Sequence, residues 1–97
     1  MSKHARRADS NHAEIVGAFR SFGAAVVDVH SLPGALDLLV GFGGRLVLVE
    51  VKDGSKPPSA RKLTPAEVET IEMLRAVGAP TAVVEHVGQV AAVLGLE

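Results

Sequence analysis

At 97 residues, with ten lysines and arginines against eleven aspartates and glutamates, the chain has the length of one small domain and a formal net charge of −1. Hydrophobic residues at 47% and charged residues at 22% describe a globular chain, not a disordered one. Zero cysteine excludes a disulfide framework and a thiolate zinc site, near-neutrality excludes a broadly basic surface, and three Phe as the only aromatics exclude a base-stacking platform for single strands.

Taken in order, residues 1–8 read as a basic flexible tail carrying Lys3, Arg6 and Arg7, able to touch a phosphate backbone, and residues 9–97 as a single domain. The polar start has no apolar run behind it, and no stretch reaches the roughly 18 apolar residues of a membrane span. A cytoplasmic protein with no membrane association is expected. Asp9, Ser10 and Asn11 offer helix caps, and Ile15, Ala18, Phe19 and Phe22 form an apolar stripe, predicting a helix over 11–22 that ends at Gly23. With Asn11 as cap, Glu14 completes a capping box. Strands are predicted over 24–30, 36–41 and 46–52, with Asp28 alternating outward to solvent. No His-x3-His spacing occurs, so His4, His12, His30 and His86 read as packed or exposed residues and not as ligands.

Residues 53–63 form a loop whose cations, Lys56, Arg61 and Lys62, either keep it soluble or contact phosphate. Thr64-Pro65-Ala66-Glu67 is a capping box with Pro in the first turn, and the helix it opens runs through Ile71 and Leu74 to Gly78. A fourth strand over 81–85 follows, parallel to the third because a helix joins them. The last helix, 87–96, carries Val90, Val93 and Leu94 with little chain left to cover them. That uncovered face, on so small a domain, predicts a homodimer.

The chemistry concentrates between Gly34 and Lys52. Leu46 to Val49 is apolar at every position, the pattern of a strand covered on both faces, so the charges after it stand at the edge of an interior. Glu50 and Lys52, two apart, share a face. The turn Phe42-Gly43-Gly44-Arg45 closes a hairpin with Gly41 opposite Leu46, and this register sets Asp37 opposite Glu50 with Cβ atoms roughly 5 Å apart. Two carboxylates at that distance repel. A divalent cation between them reverses the sign, and oxygen ligands suit Mg²⁺ or Mn²⁺.

Asp37, twelve intervening residues, then Glu50-Val51-Lys52 resembles the Asp…Glu-x-Lys signature of the PD-(D/E)XK nuclease superfamily. Together with Glu14 on a first helix, Gly34 three residues before Asp37, and Leu63-Thr64-Pro65-Ala66-Glu67 downstream, it is similar to the small phage-type and VRR-type nucleases related to Holliday junction resolvases. One departure is Leu36, where the family usually has proline. The resemblance implies an α/β, three-layer, restriction-endonuclease-like core of order α-β-β-β-α-β-α with a mixed central sheet. It also implies Mg²⁺ (or Mn²⁺) held by Asp37, Glu50 and the Val51 carbonyl, Glu14 at the metal's water shell, and Glu67 near the active site where relatives often carry Gln. The setting it implies is a bacterial or phage-infected cell.

These readings converge on a metal-dependent endodeoxyribonuclease acting on DNA, including branched or junction DNA, with Lys52 orienting or deprotonating the attacking water. Lysine serves as a base only if its pKa is depressed. Two rivals stay open: a catalytically silent nucleic-acid-binding or assembly module of the same fold, and an RNA-directed nuclease.

Overall fold

The turn between the two apolar runs needs consecutive residues at positive φ, and glycine supplies both. Gly43 and Gly44 have φ of 59° and 78° in the computed structural model, which describes residues 9–32 and 34–97. The tail expected over 1–8 lies outside the described residues. The turn joins β2 (Leu38–Phe42) to β3 (Arg45–Val51) in the expected register, Gly41 opposite Leu46 and Val40 opposite Val47, through to Leu38 opposite Val49. A slip of one residue would have turned every side chain to the other face.

The edge strand β1 (Ala25–Asp28) pairs antiparallel with β2, and β4 (Thr81–Val84) pairs parallel with β3, giving one mixed sheet in the order β1-β2-β3-β4. Before it comes α1 (His12–Ser21); α2 (Pro65–Ala76) connects β3 to β4; and a 3-10 turn (Val87–Gln89) leads into the short α3 (Val90–Val93). The order is the expected α-β-β-β-α-β-α.

Alternation along β3 sorts the layers. Val47, Val49 and Val51 face the core that Ile15, Val16 and Phe19 of α1 fill, together with Val40, Val84, Val90 and Leu94. Leu48 and Glu50 face the other way, and there Glu67 at the start of α2 meets Lys52 and Glu50, so α2 lies over the opposite side of the sheet. The final helix is shorter than expected and is not left uncovered: Val90 and Leu94 are core residues, because α3 packs against α1. That helix therefore offers no uncovered face for a dimer. Exposed apolar side chains flank α3 at Val87 and Leu96 and occur elsewhere, among them Val27 and Leu46, which alternation puts on the α2 side of the sheet, and Met73 and Val77 at and just beyond the end of α2. Among the described residues, no helix is long and apolar enough to cross a membrane.

Candidate active site

Asp37 sits just before β2, and its carboxylate replaces a missing rung of the ladder. Its backbone carbonyl accepts the Val29 N–H at 2.8 Å, and its Oδ2 accepts the Val51 N–H at 2.8 Å. In an antiparallel ladder a residue's N–H and C=O engage the same neighbour, so the Val51 carbonyl also leaves β3 on the Asp37 side. Continuing the pairing of Leu38 with Val49 sets Asp37 opposite Glu50. Asp37 is 6% exposed and Glu50 only 2%. Leu36, the departure from the family pattern, is buried.

The fourth member arrives through α2. Thr64 caps that helix, accepting the Glu67 N–H, while Glu67 Oε1 accepts the Thr64 N–H at 2.8 Å, so the predicted capping box is formed. The same Oε1 accepts from Lys52 Nζ at 2.9 Å, and Lys52 Nζ stands 3.5 Å from Glu50 Oε2. Glu67 is thus both a cap and part of the carboxylate–lysine group; the sequence left these as alternatives. A single carboxylate serves both because the first turn of α2 ends beside the last residues of β3.

Electrostatics follow from burial. Glu50 is pushed up to about 9, first by removal from water, then by its hydrogen bond with Glu67 and the negative charges of Asp37 and Glu67; Lys52 pulls the other way. It therefore carries a proton at neutral pH and donates to Glu67. Burial alone would push Glu67 up as well, but the hydrogen bonds from Glu50, Lys52 and the Thr64 N–H outweigh it and hold Glu67 below its ordinary value. Burial alone would lower Lys52; Glu67 and Glu50 outweigh it and raise it. The condition for Lys52 as a base is not met, and it is an ammonium donor here. Three buried carboxylates beside one ammonium leave a deficit of positive charge, and the proton on Glu50 meets it. That deficit, with oxygen donors only, fits a hard divalent cation.

Two expectations are corrected. Asn11 precedes α1 but makes no side-chain cap hydrogen bond; its amide instead donates to the Lys52 carbonyl at 3.1 Å and the Glu85 carbonyl at 3.0 Å, tying α1 to the ends of β3 and β4. Glu14 has no capping box to complete. It is exposed and lines a hollow with Ser10, Asn11, Asp53, Ser55, Glu85 and His86, a lining that does not include Asp37, Glu50 or Lys52. Asp28 is exposed as expected, yet it is not left to solvent alone. It shares the sheet face of Leu38 and Val49, and its carboxylate meets His12 and His30.

Asp53 is a further member that the sequence did not single out. It is buried and accepts from Ser10 Oγ and from the N–H and Oγ of Ser55, pinning the segment before α1 to the exit of β3. The position after Glu-x-Lys was its one signal. The cations of the following loop are partly spent inside the fold: Arg61 pairs with Glu85 at 3.0 Å, and Lys56 lies 3.9 Å from Asp9. Lys62 is exposed and makes no ion pair among the described residues.

Among solved structures, a chain described as a VRR_NUC domain is similar to this one at a TM-score of 0.64 and 27% identity, covering 86% of this chain and 92% of that one. No protein-family model and no curated protein matches the chain. Element order, mixed sheet and this similarity together give the chain a restriction-endonuclease-like α/β fold similar to that of a VRR_NUC domain.

Proposed function

We propose that the domain is a divalent-metal-dependent endodeoxyribonuclease whose reaction centre is Asp37, Glu50 and Lys52, with Glu67 holding the lysine. The observation that carries this is the gathering of three buried carboxylates, Asp37, Glu50 and Glu67, about the single ammonium of Lys52, where a cation would remove the repulsion. Asp37 Oδ1, Glu50 once deprotonated, and the Val51 carbonyl would hold Mg²⁺ or Mn²⁺. Such an ion lowers the pKa of a bound water and offsets charge developing on the phosphoryl oxygens.

The residues' own work is then separable. Asp37 stays anchored through its Oδ2 on the Val51 N–H. Glu50 gives up its proton before it can act as a ligand. Lys52 presents an ammonium, fixed by Glu67, to a phosphate oxygen or to the attacking water. Glu14, on the neighbouring hollow, is the weakest member of the set; its part would be with water and not with the group at Glu50.

DNA is the proposed partner, including branched DNA, and a second copy of this chain is the proposed cover for Val27, Leu46, Met73 and Val77. Light scattering of the parent and of Leu46→Glu tests the latter: a dimer reduced to monomer is expected, and a monomeric parent would refute it. The nuclease reading is tested by incubating labelled duplex, flap, junction and RNA substrates with Mg²⁺, Mn²⁺, Ca²⁺ or EDTA. Cutting of DNA in Mg²⁺ or Mn²⁺ and none in EDTA is expected. Binding without cutting under every condition would favour the silent module, and cutting confined to RNA would favour the RNA enzyme.

A further inference from the structure

On the α1 side of the sheet lies a second group with ligand chemistry, distinct from the carboxylates above. His12 opens α1, Asp28 closes β1, and His30 stands just beyond it. Helix and strand are brought together by Ile15 and Phe19 packing on the sheet, and this puts the three side chains in one place. Asp28 Oδ2 lies 2.8 Å from His12 Nε2, and Asp28 Oδ1 lies 2.6 Å from His30 Nδ1. The two imidazole rings are 4.9 Å apart between centroids, and one ligand atom from each residue falls within 4.8 Å of the others.

The histidines differ in setting. His12 is buried, its side chain 8% exposed, and its Nδ1 has no hydrogen-bond partner among the described residues. His30 and Asp28 are each about a third exposed, at 31% and 35%, so the group opens to solvent on one side. A closed wall of protein on one side and an opening on the other is how a three-ligand site keeps room for water.

We propose that His12 Nε2, Asp28 and His30 Nδ1 form a binding site for a borderline first-row divalent cation such as Zn²⁺. Two imidazole nitrogens and one carboxylate oxygen are the donor set such ions prefer, whereas Mg²⁺ prefers oxygen alone. At metal–ligand distances of about 2.0–2.1 Å, neighbouring ligands of a tetrahedral ion stand roughly 3.3 Å apart. Reaching this opens the two histidine–aspartate contacts from 2.8 and 2.6 Å and draws together ligand atoms that now lie within 4.8 Å of one another. Each histidine nitrogen now facing Asp28 must be free of its proton to act as a ligand. The unpartnered Nδ1 of His12 is common to both states and does not weigh between them. A bound ion would staple the first turn of α1 to the end of β1, next to the segment that leads to Asp37. The proposal stands independently of the nuclease reading.

The test uses tag-free protein carrying Asp37→Asn and Glu50→Gln, which removes the other oxygen site. Calorimetry with Zn²⁺ in excess Mg²⁺, and visible absorption with Co²⁺ as a probe, report stoichiometry and ligand type. One ion per chain and the spectrum of a histidine-ligated Co²⁺ are expected. His30→Gln should weaken binding by more than the roughly 10–100-fold that losing an outer hydrogen-bond partner of a ligand costs. Its side chain is partly exposed, so the variant should fold, and circular dichroism checks this. Asp28→Asn should weaken binding alike. Binding that survives His30→Gln, or that is lost on His86→Gln instead, overturns the assignment, as does the absence of binding.

Discussion

Glu50 should make the metal-free protein lose stability as pH rises, the reverse of what an ordinary surface carboxylate does. In the unfolded chain its proton leaves near the ordinary value of 4.5, whereas in the fold it is held to about 9. A group raised on folding contributes stability that is fully present below its unfolded pKa and is lost as pH rises through its folded one. Between those limits the slope is one proton, about 1.4 kcal/mol per pH unit. From pH 6 to pH 8 this amounts to about 2.7 kcal/mol, on the order of 10–20 °C in Tm for a domain of this size. Glu67 and Asp28, both lowered in the fold, act only in acid, and Lys52, raised, acts only in alkali. In Glu50→Gln the side chain is neutral at every pH, and its amide can donate to Glu67 as the protonated acid does. Melting curves of the parent and Glu50→Gln in EDTA at pH 6, 7 and 8 isolate the effect, because the histidines cancel between the two proteins. The parent should fall relative to the variant. Parallel curves would refute both the proton on Glu50 and the charge deficit inferred from it. With saturating Mn²⁺ the slope should vanish, since the cation displaces that proton and its apparent affinity rises about tenfold per pH unit up to about 9, offsetting the metal-free loss.

Three further outcomes follow from the same contacts. Glu67→Gln keeps a capping box but removes the negative partner of Lys52 and Glu50, so the pH midpoint of metal binding, read by calorimetry, should shift downward. Lys52→Ala should abolish cleavage while the metal-induced rise in Tm persists, and should cost the metal-free protein about 3–5 kcal/mol in denaturant melts, because it leaves buried Glu67 without its cation. Asn11→Ala removes both hydrogen bonds to the Lys52 and Glu85 carbonyls; a loss of about 1–3 kcal/mol per carbonyl left buried is expected in the same melts, with the metal-induced shift retained.

What could be read from the chain was what local rules govern. Gly43-Gly44 fixed the turn, the turn fixed the register, and the register put Asp37 and Glu50 on one face; Thr64-Pro65-Ala66-Glu67 announced the start of α2 with its cap. What could not be read depends on meetings through space. Asn11 has the composition of a cap, yet the carbonyls at the ends of β3 and β4 compete for its amide and win. Val90 and Leu94 looked uncovered because nothing in α3 itself says that α1 lies beside it. His12, Asp28 and His30 belong to no spacing motif, since a helix start and a strand end meet only after the sheet is packed. Glu67 was legible as a cap and illegible as the partner of Lys52 for the same reason: one role is local and the other spans the crossover.

The central claim is that buried Asp37 and Glu50 exist to hold a cation for phosphodiester hydrolysis, and cleavage of labelled DNA by the parent and by Asp37→Asn, each in Mn²⁺ and in EDTA, tests it most directly. Asn can still accept the Val51 N–H, so the variant should fold with undiminished metal-free stability, and that is measured alongside. Cleavage in the parent with Mn²⁺ alone, and none in the other three conditions, is the predicted result. Cleavage by the parent in EDTA, or by Asp37→Asn at the parent's rate, would contradict it.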